Sequence, residues 1–296
     1  MEYNSAAVTG SSGFIGKYLV HKLKERGVKV FEINRSTNSI DVTDWEQFNK
    51  IPDQEIIFHL AGITNIQEAF SNPRMVYFTN FTGTLNVLDW CRLHEIKKMI
   101  FISTFVYGAP KYLPVDEEHP VSPNNPYSQS KLMAEELCKA YSRDYGMDIT
   151  ILRLFNIYGP CHKGNFLIPR ILEQLFSGKV VLGNPVPKRD FLYITDVISA
   201  MIAASLSELK GCNVFNIGSG KSYSAQEIAN LIADKYLEMT GKNISIIYMK
   251  EQRKGEIEDT IANIEKAKKI LKWSPEVDIE TGINMTLRAY LDEYRK

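Results

Sequence analysis

Ala6-Ala7-Val8-Thr9-Gly10-Ser11-Ser12-Gly13-Phe14-Ile15-Gly16 combines a short apolar run, a glycine-rich turn and the start of an amphipathic segment that continues to Arg26. A buried strand feeding directly into a helix is the element that decides the fold. Glycines at Gly10, Gly13 and Gly16 let the backbone turn tightly and approach a ligand closely, and a helix N-terminus favours an anion. The spacing is GxxGxxG, so the simple GxGxxG fingerprint is not met. The position of the turn between strand and helix is what makes it a phosphate cradle for a dinucleotide rather than a plain turn.

Working outward, short apolar runs alternate with helix-length segments. Strands are expected at Ala6–Val8, Val28–Ile33, Ile56–Leu60, Met99–Ser103 and Ile149–Leu154, and helices at Ile15–Arg26, Thr82–His94 and Ser128–Tyr145. Apolar strands alternating with helices imply an α/β fold with a doubly wound parallel, Rossmann-type sheet. Right-handed crossovers then bring the C-terminal ends of the strands to one edge, where ligands bind. Residues 1–160 are expected to form the dinucleotide-binding domain and residues 161–296 a smaller α/β substrate region, with some later segments returning to the first. The second region has helical candidates at Pro169–Ser177, Ile194–Ser207, Ser224–Met239, Ile264–Leu271 and Ile279–Tyr294, and strands at Val180–Leu182, Asn213–Ile217 and Ile244–Met249.

The chain has 296 residues, 35 basic and 35 acidic, so its formal charge is zero; that argues against nucleic acid or an anionic membrane as its main partner. Four scattered cysteines without CxxC or other metal-type spacing imply free thiols in a reducing compartment and no metal site. No signal-type N-terminus and no apolar run of about 18 residues is present, which implies a cytoplasmic protein.

Tyr127 and Lys131 stand four residues apart, on one face of an expected helix. An ammonium beside a phenol favours the phenolate and draws the tyrosine pKa down from about 10. Such a phenol exchanges a proton with a hydroxyl while a nicotinamide exchanges the hydride. Together with the glycine turn, this points to redox chemistry at an alcohol or ketone.

The series TGSSGFIG, HLAG (His59–Gly62), Asn80 before Gly83-Thr84, Tyr127-x-x-x-Lys131, RLFNIYGP (Arg153–Pro160), KRDFLYITDV (Lys188–Val197), FNIGSG (Phe215–Gly220) and Arg253-Lys254-Gly255-Glu256 resembles the extended short-chain dehydrogenase/reductase family, in family order. The resemblance implies a nicotinamide cofactor held by Gly10, Gly13, Phe14, Ile15 and Gly16, with Asp41-Val42 beside the adenine, Ala61 and Gly62 passing under the cofactor and Asn80 near the nicotinamide ribose. Asp41 also reads as a helix cap before Trp45, and His59 as a packed core residue. In the family pattern the catalytic hydroxyl lies four residues before the Tyr of V-Y-G. That selects Ser103, with Thr104 beside it, to hydrogen-bond the reacting oxygen; Tyr127 is the acid/base, and Lys131 tunes it and binds the ribose.

The resemblance also excludes. Family dehydratases carry Asp-Glu where this chain has Thr104-Phe105, and decarboxylating relatives carry a Glu at the second position. Arg189 and Arg253 match arginines that clamp a nucleoside-diphosphate sugar, for which a guanidinium fork suits the pyrophosphate. Asn156 and the stretch from Asn165 to Ile168 match positions near phosphates or base, and whether Cys161 or His162 takes part in catalysis is left open. The register places Asn34, followed by Arg35 and Ser36, where NAD-binding relatives hold the ribose with an acid; Glu32 lies two residues too early. A neutral amide with Arg and Ser beside it favours NADP(H) over NAD(H). The expected activity is therefore an NADPH-dependent reductase of 4-keto-6-deoxy nucleotide sugars. The alternatives are a UDP-glucose or UDP-N-acetylglucosamine type 4-epimerase with retained NAD, and a non-catalytic cofactor sensor. Pairing through Thr82–His94 and Ser128–Tyr145 into a homodimer is implied by the resemblance.

Overall fold

The computed structural model describes residues 3–36, 39–249 and 256–294. The first half alternates β1 (Ser5–Thr9), α1 (Phe14–Glu25), β2 (Lys29–Ile33), α2 (Trp45–Phe48), β3 (Ile56–His59), α3 (Ile66–Ser71), α4 (Pro73–Tyr77), α5 (Gly83–Leu93), β4 (Lys98–Thr104), α6 (Pro126–Tyr145) and β5 (Asp148–Leu154). β6 (Asn156–Tyr158), α7 (Leu167–Gln174), β7 (Lys179–Leu182), β8 (Lys188–Tyr193), α8 (Ile194–Leu206), β9 (Cys212–Ile217), β10 (Ser222–Ser224), α9 (Ala225–Thr240), β11 (Ser245–Tyr248) and α10 (Ile279–Tyr294) follow.

Six parallel strands lie in the order β2-β1-β3-β4-β5-β9, the expected doubly wound sheet. Both faces are apolar, as crossover helices require. Ala6, Val8, Phe58, Ile100 and Leu152 face one cluster with Leu19 and Leu23 of α1 and Val197 and Met201 of α8. Ala7, Ile57, Met99, Phe101 and Ile151 face the other, with Val87, Leu88 and Trp90 of α5 and Ala134 and Cys138 of α6. The chain leaves β1 toward β2 and returns to its other side as β3. That reversal opens a crevice at the strands' C-terminal ends.

Among the departures from the sequence expectation, two bear on the cleft. The helix expected from Thr82 is preceded by a π-type turn, Phe78–Thr82, that continues directly from α4. Asn80 sits inside this wide turn, its side chain tied to the backbone of Ile63 and to Ser130. Side-chain bonds made outside the helix give a reason for the widened turn there. The segment beginning at Lys188, read only as a motif, contains β8, which joins β10 and β6 in a small second sheet. The strand was hard to read because a carboxylate interrupts it: Asp190 is fully buried and accepts from the N–H groups of Ser219, Gly220 and Ala262.

Candidate active site

A cleft of about 1250 Å³ runs along the ends of β1 to β5, between the large sheet and the region after residue 156. One wall is the glycine turn. Gly10 has φ +68°, and a Cβ there would stand 2.8 Å from the Ala61 nitrogen; at Gly16 it would meet the Gly10 oxygen at 2.2 Å. These two glycines keep β1, the β3 loop and α1 in contact. No side chain caps α1, and Gly13, Phe14 and Ile15 line the cleft. Uncapped N–H groups of a helix N-terminus facing a cleft fit the pyrophosphate of a dinucleotide.

At the end of β2, Asn34 is buried; its amide donates to Ser11 Oγ at 2.6 Å and its oxygen accepts from Ser36 N and Oγ. Arg35 is mostly exposed, lines the cleft and lies 3.9 Å from Asp41. Glu32 instead pairs with Lys24 of α1 at 2.7 Å. Asp41 and Val42 both line the cleft, and Asp41 closes a local turn by accepting from Thr43 N and Oγ1. The cap of α2 is Asp44, whose carboxylate accepts from Gln47 N, so the capping role considered for Asp41 belongs three residues later.

The cleft floor under Ala61 and Gly62 rests on a buried relay. Thr84 Oγ1 donates to the Asn80 carbonyl at 2.6 Å, so it accepts from His59 Nε2 at 3.0 Å, leaving Nδ1 to accept from Thr9 Oγ1 at 2.7 Å. Burial, with the Lys131 charge nearby, holds the His59 pKa well below its ordinary value. His59 is a neutral structural side chain. Asn80 does not line the cleft; it acts through the Ile63 backbone it holds.

Tyr127 and Lys131 stand on the first turns of α6, whose start is fixed by Pro126 at N1 and by Asn125 accepting from Ser128 N. Both line the cleft. Burial raises the Tyr127 pKa, partly offset by the Thr104 side chain beside it. Desolvation pushes Lys131 down to about 8, against the pull of Cys138 and Glu135, and its Nζ lies 4.2 Å over the Phe101 ring. The expectation that Lys131 draws the phenol pKa down is therefore corrected: burial sets the direction, and the influence that opposes it comes from Thr104.

Ser103 and Thr104 both border the cleft but differ in what their hydroxyls do. Ser103 donates to Glu135 Oε1 at 2.5 Å, and Glu135 is fully buried against Arg153, whose Nη2 lies 2.6 Å from Oε2. Arg153 Nη1 continues to Tyr107 Oη, which donates to Asn216 Oδ1. The Ser103 proton is thus committed, and its oxygen offers the cleft only lone pairs. The hydroxyl that reaches the phenol is Thr104. Phe105 packs against Tyr107 and Phe155, with no carboxylate at either dehydratase position.

Beyond the sheet, Asn156 and Asn165 line the cleft, bonding the Asp190 carbonyl at 3.3 Å and Gln67 Oε1 at 3.0 Å. Arg189 also lines it, one guanidinium nitrogen held by the Lys188 and Ile257 carbonyls. Arg253 lies outside the described residues. The sequence reading missed Lys163, Arg170 and Asn184, which also line the cleft, because no motif marks them. Cys161 and His162 line it too; desolvation lowers His162 to about 4, so at neutral pH the ring is uncharged and is a poor proton donor to a substrate carbon.

The sequence model of the NAD dependent epimerase/dehydratase family matches residues 6–218. A Methanocaldococcus jannaschii protein, provisionally named a UDP-glucose 4-epimerase, is 35% identical over 93% of this chain and 95% of its own. A UDP-glucuronate 4-epimerase of Thermodesulfobacterium geofontis is 31% identical over 95% of this chain and 94% of its own. The crystal structure of UDP-glucose 4-epimerase from Thermotoga maritima, with UDP-glucose, superposes with a TM-score of 0.90 at 28% identity, covering 99% of this chain and 100% of that one. Solved neighbours include a complex with NAD and one with NADPH. The chain belongs to the NAD dependent epimerase/dehydratase family. These relatives are 4-epimerases, and nothing in them supports the 4-keto-6-deoxy-sugar reductase; the alternative reading is the better supported.

Proposed function

We propose that this chain is a nucleoside-diphosphate-sugar 4-epimerase. The observation that carries the reading is full-length similarity to 4-epimerases in a chain whose Tyr127, Lys131 and Thr104 meet at the end of β4. A bound nicotinamide supplies reversible hydride exchange and, when oxidised, a positive charge. Tyr127 takes the proton from the sugar C4 hydroxyl as that carbon loses hydride, and returns it to the 4-keto oxygen. Thr104 donates to the phenol oxygen and steadies the phenolate, while Ser103, its own proton held by Glu135, accepts from a sugar hydroxyl other than the reacting one. Lys131 holds the ribose and adds its charge. Epimerisation needs hydride to return to the opposite face of C4, so the hexose must turn over, and a cleft of about 1250 Å³ gives it space. Arg189, with Arg170 and Lys163 along the same cleft, suits the diphosphate.

At the adenosine end, Asn34 carries no charge to repel a 2′-phosphate and Arg35 stands next to it, so the pocket accepts NADP(H) as well as NAD(H). Exposed apolar side chains on α3, α4 and the π turn (Phe70, Met75, Phe78), with Leu93 and Tyr145 ending α5 and α6, support the homodimer. The test is NMR of products after incubating the purified protein with UDP-glucose, UDP-N-acetylglucosamine and UDP-glucuronate, without added reductant. C4 inversion supports the reading. Turnover only on a 4-keto sugar with added NADPH would return the assignment to reductase.

A further inference from the structure

The segment between β6 and α7 lines the cleft and is tied to elements on two of its sides. On the α1 side, Tyr18 Oη donates to the Pro160 carbonyl at 3.1 Å. The His162 ring lies on Phe14, centroids 4.3 Å apart and planes within 7°. It also meets Phe166 at 4.6 Å. On the α3 side, Asn165 Nδ2 donates to Gln67 Oε1 at 3.0 Å. Phe14 is the first residue of the helix that opens on the phosphate cradle, and α3 follows the Gly62–Thr64 loop on the facing wall. Both elements line the part of the cleft read as the cofactor channel, and the strap joins them.

Two details mark the strap as more than filler. Cys161, immediately before His162, holds φ +64°, a left-handed conformation unfavourable for a residue with a side chain. His162 Nδ1 is buried without a hydrogen-bond partner. A phenylalanine would stack there without leaving a polar atom unsatisfied. The strap is therefore held to the two walls by ring contacts and two single hydrogen bonds.

We propose that residues 159–166 form a clasp that controls escape of the dinucleotide, with His162 as its pin between Phe14 and Phe166. This deepens the epimerase reading, since an enzyme that oxidises and re-reduces one substrate molecule gains by keeping its cofactor between turnovers.

The test is the release of pre-bound NADH, followed by loss of its fluorescence on mixing with excess NAD in a stopped-flow instrument. Loss of two aromatic contacts in His162→Ala should speed release about ten-fold. His162→Phe, which keeps the stack, should release as slowly as wild type. Gln67→Ala, at the exposed far end, should speed release about two-fold, as expected for one surface hydrogen bond, and tests the strap even if His162→Ala folds poorly. Wild-type release in both His162→Ala and Gln67→Ala overturns the clasp, as does His162→Phe releasing as fast as His162→Ala. Failure of the wild-type protein to hold any dinucleotide would overturn the epimerase reading together with the clasp. Slow release from the wild type, unchanged in the variants, overturns the clasp alone.

Discussion

The two halves of the cleft are built from different materials. The half proposed for the cofactor is made of backbone: the Gly10–Gly16 turn, the ends of β1 and β3 and an uncapped helix start, locked by the Thr9–His59–Thr84 relay. The half proposed for the sugar is made of side chains carried on a loop, a three-stranded sheet and a two-stranded sheet. Backbone that must pass within van der Waals distance of backbone dictates residue type, so a change there should act on binding as a whole. A side chain reaching a ligand from a loop can be exchanged with more local effect. Tyr127 and Thr104 stand at the seam between the halves.

The sharpest test of that seam is Tyr127→Phe. The ring keeps its place on α6 and only the proton carrier is lost, so kcat should fall about 10²–10⁴-fold. Dinucleotide affinity should stay within about two-fold, because losing one neutral hydrogen bond costs little when the ring still packs. Steady-state kinetics beside a fluorescence titration separates the two readouts. A parallel collapse of both would mean the phenol belongs to the cofactor half rather than to the seam.

Within the cofactor half, Gly10→Ala probes the backbone claim. Its Cβ would press on the Ala61 nitrogen at 2.8 Å from a residue at φ +68°. Left-handed strain of about 1–2 kcal/mol plus that clash should weaken dinucleotide binding by about a hundred-fold. Calorimetric titration with NAD gives the answer. An alanine that binds normally would show that this half is no more backbone-limited than the other.

Lys131 sharpens the contrast through stability. Its folded pKa, about 8, lies below the unfolded value near 10.5, so the unfolded chain binds the proton more tightly. Stability then rises with pH between about 8 and 10.5, and below pH 8 the buried ammonium costs its full amount, on the order of 3 kcal/mol. Lys131→Met should therefore raise the melting temperature of the cofactor-free protein at pH 7 while removing turnover. Denaturant unfolding at pH 7 and pH 10 measures it, and the gain over wild type should shrink at the higher pH. A less stable Lys131→Met at pH 7 would show that the ammonium is well compensated where it sits.

How much of this could be read in the residues follows the same division. The sheet, α1, α6 and the glycine turn were legible because strand burial, helix periodicity and backbone approach each leave a local mark. Thr104 and Ser103 were legible as a pair but not in their roles. The family register selects Ser103, and only the fold brings Glu135 and Arg153 together beneath it, across 18 residues of sequence, to take the Ser103 proton. Lys163, Arg170 and the Phe14–His162–Phe166 stack were not legible, since each depends on long-range contact between segments without a repeating pattern.

That reassignment predicts an inequality. Thr104→Val keeps the shape and removes the donor to the phenol, so kcat should fall about ten-fold or more, as for loss of a hydrogen bond to a charged group. Ser103→Ala removes an acceptor and unbalances the Glu135 carboxylate. It should show mainly in the melting temperature, with kcat reduced less than in Thr104→Val. The opposite order would restore Ser103 as the principal hydroxyl.

The smallest effect is expected farthest from the chemistry, at Arg35. Its guanidinium is exposed and sits 3.9 Å from Asp41, a separation at which a solvated pair contributes little. Removing it should leave NADH affinity unchanged, because the ribose of NADH offers it no charge. A 2′-phosphate at this end of the channel would face Arg35, with Asn34 anchored on Ser11 behind it; Ser36, expected to share in this, does not line the cleft and its hydroxyl donates to Asn34 instead. Arg35→Ala should then weaken NADPH by about two- to five-fold, the size of a screened surface contact, and the difference should fade as salt is raised. Equal losses for the two cofactors would mean Arg35 only steadies the Asp41 turn. A loss larger than ten-fold confined to NADPH would mean that the loop after β2 closes on the phosphate, making this end of the cofactor half, like the sugar half, a site built by side chains.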